Sequence, residues 1–372
     1  MSLHTQKFLN KNFPVIIYFF ALICMLMTLS YARKYHLLPR PDPGTDQLGM
    51  LEAAENMSNG KLPDAGYMYS YLYTAFLFVL NLLAQKNLVM MRVLQACVCA
   101  MIPVFIYKLS LKLRLGSTCG QLASLLYCFY GPAMLISISF LRAGPLTLCF
   151  ILYANYLVLA FIERKPVHYF VAGLWISMCI LGRENFLAVA IAPVLMLFYP
   201  SVRKNVKKSF ILYYAAGIVA LLVPVMIYNY SSFGSPSLVP GHLGNVMEAY
   251  HADSNDSVIG AFASILCNIP AQTLNYLCSY EIPNSLSFYA HREIIEFMTV
   301  FTVPFNLLTT MSLVTVGFLW KKKNIVFPAL LIAVYVGSML PFHMFYRFRI
   351  PTAPLLCFLC SAGIILLIQD FN

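Results

Sequence analysis

Long apolar runs separated by short polar gaps make up nearly the whole chain, and the runs are of the length that crosses a bilayer. About 20 apolar residues are needed to span the hydrocarbon core as a helix. The first run, Phe13 to Ala32, is longer than the apolar part of a signal peptide, and no small-residue cleavage site follows it. It reads as a retained first span. Further spans are expected over 88–107, 118–140, 144–162, 167–181, 185–199, 209–230, 297–319, 325–342 and 352–369, with 167–181 and 185–199 short for full crossings. The expectation is therefore an all-α integral membrane protein with about ten transmembrane helices and both termini on one side, forming a single polytopic domain over residues 1–372.

The polar gaps alternate in character. One set carries the basic clusters: Lys7 and Lys11; Lys108, Lys112 and Arg114; Arg164 and Lys165; Arg203, Lys204, Lys207 and Lys208; Lys321, Lys322 and Lys323. The other set holds twelve of the fourteen acidic residues, with isolated arginines at 142, 183, 292, 347 and 349. Lysine and arginine excess marks the cytoplasmic side of a multi-pass protein. The mixed acids, arginines and histidines thus collect on the outer side, where a polar site can assemble.

That sidedness decides the segment 67–85. The polar loop before it is on the outer side and Lys108, Lys112 and Arg114 are on the inner side, so only one crossing fits between them. Tyr67, Tyr69, Tyr71 and Tyr73 stud the earlier apolar segment, and tyrosine favours the headgroup level. A surface-lying or re-entrant helix is expected there, with the true span at 88–107. Two long outer loops result, about 33–87 and 231–296. In the first, Thr45 or Asp46 is placed to cap a short helix that runs to about Asn59 and stops at Gly60. In the second, the apolar patch 258–270 is too short to span.

Composition agrees. The chain is 60% hydrophobic and 10% charged, with a mean hydropathy of +0.75, far from a soluble average. The net charge of +11 lies mostly in the inner clusters, where it meets anionic lipid rather than nucleic acid. Most of the eleven cysteines sit inside apolar runs and read as packing residues; a zinc site is not expected. Asn-x-Ser triplets at Asn56, Asn229 and Asn255 would be glycosylation acceptors in a eukaryotic host.

Several motifs resemble one family in order along the chain: Asp46 ahead of a helix ending at Gly60; the tyrosine-rich stretch Tyr67 to Tyr73; Met-Arg-Val-Leu-Gln at 91–95; Tyr127 to Pro132; Gly182-Arg183-Glu184-Asn185; Pro224 to Gly234; Tyr280-Glu281-Ile282-Pro283-Asn284; and Tyr346-Arg347-Phe348-Arg349-Ile350-Pro351. The chain resembles polytopic GT-C-type glycosyltransferases, the class of protein O-mannosyltransferases and lipid A aminoarabinose transferases. It is most similar to the dolichyl-phosphate-mannose–protein mannosyltransferase-like group. It departs at three places: a glutamate near position 139 is absent, Tyr228 stands where an arginine precedes Asn229, and Gly244-Asn245 only partly echoes a Gly-Asn-Asn pattern.

The resemblance implies a sugar transferase that uses a polyprenyl-phosphate donor, inverts configuration and acts on the outer face of a membrane, most simply a bacterial inner membrane facing the periplasm or exterior. The acceptor is a lipid, a glycan or a protein; no nucleic acid is involved. The chemistry needs a base for the acceptor and cations for the departing phosphate. Asp46 is the candidate base. Arg347 and Arg349 are the first candidates to hold the phosphate, followed by Arg183, Arg142 and Arg292. Glu281, Asn284, Tyr67, His242 and Asn245 are candidate substrate-binding or loop residues. Each has a plainer reading: Asp46 as a first-turn helix residue, the arginines as side chains reaching up to headgroups, Glu281 as an ordinary loop acid and the histidines as solvated. Arg92 is expected to snorkel at the inner end of its span. No cofactor is demanded, and a divalent metal stays open. The competing functions are a transporter or lipid flippase, which places charges at mid-membrane, and an inactive scaffold of the same fold.

Overall fold

The computed structural model describes residues 3–38, 40–41, 45–61, 70–196, 208–234, 258–278, 280–283, 286–301, 303–340 and 344–370. Every regular element among them is helical. Helix α1 (Leu3–Lys34) is followed by a pair of 13-residue helices, α2 (Asp46–Ser58) and α3 (Tyr71–Leu83). Then come α4 (Leu88–Cys99), α5 (Met101–Lys112), α6 (Gly116–Cys128), α7 (Gly131–Ser137), α8 (Ala143–Glu163) and α9 (Pro166–Gly182). The short α10 (Phe186–Val189) and α11 (Ala192–Met196) precede α12 (Lys208–Phe233), α13 (Val258–Leu277) and α14 (Phe288–Ile294). The chain ends in α15 (Phe305–Leu319), α16 (Lys323–Met339), the one-turn α17 (Tyr346–Arg349) and α18 (Ala353–Asp370).

Six stretches of the described residues are long and apolar enough to cross a membrane: Asn10–Lys34, Leu88–Lys112, Ala143–Glu163, Phe210–Ser232, Glu296–Leu319 and Tyr346–Ile368. The apolar run 118–140 does not form one rod. It bends by 68° between α6 and α7, and the pair makes a seventh crossing only if counted together. The other expected spans, 167–181, 185–199 and 325–342, form shorter apolar helices. The helix over 167–181 has 17 residues, at the lower limit of the length that crosses, and runs from the Lys165 end of the bundle to the Arg183 end. The helix over 325–342 is equally short. The run 185–199 breaks into α10 and α11, because Pro193 has no N–H for the carbonyl of Val189 and its ring crowds that oxygen.

The core lies along α8 and the first two-thirds of α18, whose side chains are mostly buried. Helix α8 packs between α5 and α9, and α18 between α6 and α15. Helix α12 is held mainly by α9. There the backbones approach so closely that a Cβ on Gly173 would strike the Tyr214 carbonyl, and one on Gly217 the Phe170 carbonyl. Small residues allow such approach between helices in lipid, where packing replaces the hydrophobic drive. Ser177 adds a hydrogen bond across this interface to the Ile218 carbonyl, 3.2 Å.

Among the described residues, the gaps next to Lys11, Lys112 and Lys323 meet at one end of the bundle. Lys112 donates to Asn155 Oδ1 at 3.0 Å, Gln121 to Asn10 Oδ1 at 2.9 Å, and Asn324 to the Leu113 carbonyl at 3.3 Å. The opposite end carries α2 and α3. Helix α3 spans about 20 Å, too short to cross, as expected of 67–85. It reverses into α4 through a tight turn, with Gln85 and Lys86 at φ of 50° and 65°. Tyr71 and Tyr73 turn into the protein rather than outward. Both are buried, with hydroxyls donating to Asn229 Oδ1 (2.6 Å) and Gln95 Oε1 (2.9 Å). That removes Asn229 as a glycan acceptor, because its side chain is fully enclosed. Arg92 is likewise corrected. It stands in the first turns of α4 at the α2–α3 end, buried, donating to the Leu38 carbonyl at 2.6 Å and lying 4.5 Å from the Phe140 ring centre. The patch 258–270 extends into a 20-residue helix, α13.

Candidate functional site

A small cleft opens at the α2–α3 end. Its walls are Met50 of α2, Leu141, Arg142, Ala143 and Leu146 around the start of α8, Arg183 just after α9, and Arg347 of α17. Arginines from three separate segments therefore line one cleft whose other walls are apolar.

Local structure explains each position. Arg142 is the N-cap residue of α8 and donates to the Gly182 carbonyl at 3.3 Å. Its charge thus ties the beginning of α8 to the end of α9. Arg183 is the C-cap of α9 in extended backbone (φ −165°, ψ 125°), which turns its side chain away from the helix axis. It is largely buried, with Cζ 3.9 Å from the Phe348 ring centre and Nη1 3.5 Å from the Tyr335 hydroxyl. Arg347 lies on α17 with Cζ 5.3 Å from the same Phe348 ring.

Thr45 caps α2: its hydroxyl accepts from the Leu48 N–H at 3.3 Å, and the helix stops at Asn59 and Gly60, where φ is +75°. Asp46 is the first helical residue, one turn ahead of the cleft-lining Met50. The cap is Thr45, and Asp46 occupies the first turn, as its plainer reading has it.

Arg349 goes elsewhere. Residues two apart on a helix do not share a face, so the expected pairing of Arg347 and Arg349 on one ligand is not what the geometry offers. Arg349 is fully buried and donates to the Cys278 and Tyr280 carbonyls, both at 2.8 Å. Its Nη1 lies 3.8 Å from Glu281 Oε2. Glu281, also buried, accepts from the Tyr130 hydroxyl at 2.9 Å, while its backbone N–H donates to the Tyr289 hydroxyl at 3.0 Å. Burial pushes the Glu281 carboxyl up to about 7, against the lowering pull of Arg349 and of the Tyr130 hydroxyl. This hub fastens the loop after α13 to the start of the last span; the Tyr346 N–H adds a bond to the Ile282 carbonyl at 3.3 Å.

Arg292 is not part of the cleft lining. It lies over the rings of Phe288 and Tyr289 at 5.8 and 5.3 Å. Tyr67, His242, Asn245 and Asn284 lie outside the described residues, as does the side chain of Asp46. Among the described residues no group of three or more His, Cys, Asp or Glu gathers to hold a metal ion. Cys357 and Cys360, two intervening residues apart in α18, are buried free thiols.

Sequence reasoning missed four participants. Phe348 and Tyr130 stood inside quoted motifs, at 346–351 and 127–132, without a role. Tyr335 and Met50 gave no signal beyond their apolar runs.

Comparison with known proteins bears on this arrangement. Residues 64–228 match the family model described as dolichyl-phosphate-mannose-protein mannosyltransferase. No curated protein sequence matches the chain. Among solved structures, the oligosaccharyltransferase of Archaeoglobus fulgidus tethered to an acceptor peptide aligns at a TM-score of 0.60 and 10% identity, covering 98% of this chain. The apo form of that enzyme gives 0.59 and 11%, covering 97%. Its complex with an inhibitory peptide and a dolichol-phosphate gives 0.52 and 10%, also covering 97%. The chain spans about half the length of these structures, 50%, 51% and 51% respectively. At such identity the likeness speaks for the fold. With a mannosyltransferase family model matching 64–228 and this architecture over nearly its full length, the chain is a multi-pass membrane protein with a GT-C-like fold.

Proposed function

We propose that the chain is a membrane glycosyltransferase that moves a sugar from a polyprenyl-phosphate donor to an acceptor hydroxyl or amine, at the end of the bundle opposite the basic clusters. The observation that carries this reading is the convergence of Arg142, Arg183 and Arg347 on one apolar-walled cleft, one helical turn from Asp46. An anionic head on an apolar chain is the ligand such a lining suits. The basic clusters favour the cytoplasm, so the reaction faces the periplasm or exterior.

In this mechanism the acceptor oxygen or nitrogen attacks the anomeric carbon while its proton passes to the Asp46 carboxylate. The bond from that carbon to the phosphate oxygen breaks, and its electron pair stays on the phosphate. The guanidinium groups hold that oxygen by charged hydrogen bonds, and this stabilises the charge as it develops. Attack opposite the leaving phosphate inverts the anomeric centre. Glu281 and Arg349 act as structure, holding the 278–283 loop against α17.

Support also comes from the likeness to a mannosyltransferase family model and to an oligosaccharyltransferase fold solved with acceptor peptide and with dolichol-phosphate. The test is transfer from a labelled polyprenyl-phosphate sugar by the purified chain. Asp46→Asn is expected to lower turnover by at least about a hundredfold, the usual worth of a positioned base, with donor affinity retained. Unchanged turnover in Asp46→Asn removes Asp46 from the mechanism.

A further inference from the structure

Arg183 and Arg347 arrive from distant parts of the chain and meet at one residue. Both guanidinium groups approach the ring of Phe348, at 3.9 and 5.3 Å from its centre. The backbone of that residue belongs to the same unit. The Tyr335 hydroxyl donates to the Phe348 carbonyl at 3.0 Å, and Arg183 Nη1 lies 3.5 Å from that hydroxyl oxygen. Tyr335 is itself wedged by the rings of Phe186 and Phe150, with centres 4.9 and 6.0 Å away, and Phe345 packs edge-on against Phe348 at 5.7 Å.

Two cations in one cleft repel each other, and something has to hold them there. A carboxylate would do so by neutralising them, and would then repel an incoming phosphate. An aromatic ring attracts a guanidinium through its electron-rich face without cancelling its charge. The Phe348 ring makes a contact of the second kind with both side chains.

We infer that Phe348 is a positioning residue that aligns Arg183 and Arg347 as one anion-holding pair, with Tyr335 as the strut that fixes its backbone. This rests on the proposed reading of the cleft as the site of the donor phosphate.

The experiment uses the full chain in lipid nanodiscs, with undecaprenyl phosphate as binding probe and donor KM, acceptor KM and kcat measured separately. Phe348→Leu keeps an apolar side chain but removes the ring. It is expected to weaken probe binding and raise donor KM about tenfold, the worth of a desolvated cation–ring contact, with acceptor KM unchanged. Phe348→Tyr restores the ring and is expected to bind within about twofold of the parent. In an Arg183→Gln background the added loss from Phe348→Leu shrinks to less than about threefold, because coupled residues are not additive.

Parent-like binding by Phe348→Leu, with Arg183→Gln and Arg347→Gln both weakened, overturns the inference and leaves the phosphate site standing. An undiminished loss in the Arg183→Gln background also overturns it, because the effect is then general loosening. Parent-like binding by Arg183→Gln and Arg347→Gln themselves overturns the reading of the cleft, and this inference with it.

Discussion

At the scale of single residues, the molecule keeps two kinds of arginine apart by a simple rule of helix geometry. Arg347 and Arg349 sit two positions apart on one turn, and only Arg347 lines the cleft. Arg349 instead shares a fully buried hub with Glu281 and Tyr130. The sequence motif shows both arginines equally and cannot show which way each turns. The hub has a testable signature in pH. Glu281 holds its proton up to about pH 7 in the folded chain, against an ordinary value of 4.5. Between those values the folded state binds more protons than the unfolded one, so stability falls as pH rises through that window and levels off above it. Thermal unfolding in detergent should show this drop between about pH 4.5 and 7 in the parent. Glu281→Gln, which cannot ionise, should lose the slope. A parent whose stability rises across the same window contradicts the assignment of Glu281 as a buried, neutral-leaning acid.

At the scale of elements, the apolar runs announced most of the helices, including α1, α8, α12 and α18, and the Thr45–Gly60 helix was legible from its cap and stop signals. Breaks within runs were harder to see. The 68° bend after α6 places Tyr130 beside Glu281, but nothing in the hydrophobicity of 118–140 marks it. The cause is local as well as tertiary: Pro132, in the first turn of α7, has no N–H for the Cys128 carbonyl, and Gly131 leaves room for the Phe288 ring, which a Cβ there would meet at 2.6 Å. The same logic governs the α9–α12 crossing. Gly173 and Gly217 give no signal in an apolar run, yet both stand in backbone contact with the opposite helix. Gly217→Ala should cost about 1–3 kcal/mol, as overpacking does in well-packed interiors, read as a lower unfolding midpoint in detergent. Gly337→Ala, where no atom lies within 4 Å of a new Cβ, is the control and should leave the midpoint unchanged. Equal midpoints for the two variants would show that α12 is not held by close approach to α9.

For the whole molecule, the alternation of basic and acidic gaps in the sequence matches two chemically different ends of the bundle. The candidate site was readable to the extent that its arginines are polar interruptions at span ends. Its aromatic fittings were not, because Phe348, Tyr335 and Met50 look like ordinary span residues until the fold brings α2, α9, α16 and α17 together. Sidedness is open to direct measurement by labelling with a membrane-impermeant maleimide in intact cells. A background with Cys267 and Cys278 replaced by serine removes the exposed native thiols. The exposed positions Lys61→Cys and Glu293→Cys should label, while Lys165→Cys and Lys321→Cys, exposed at the other end, should label only after the membrane is opened. The reverse pattern would place the cleft in the cytoplasm.

The central claim, that the arginine-lined cleft holds a lipid phosphate, is tested most directly by equilibrium binding of undecaprenyl phosphate to the purified chain. The parent should bind it saturably and in preference to the uncharged polyprenol. The combined variant Arg142→Gln, Arg183→Gln, Arg347→Gln should bind it at least about a hundredfold more weakly, because each charged hydrogen bond is worth roughly 1.5–3 kcal/mol. Equal affinity of parent and triple variant for the phosphate lipid would contradict the account.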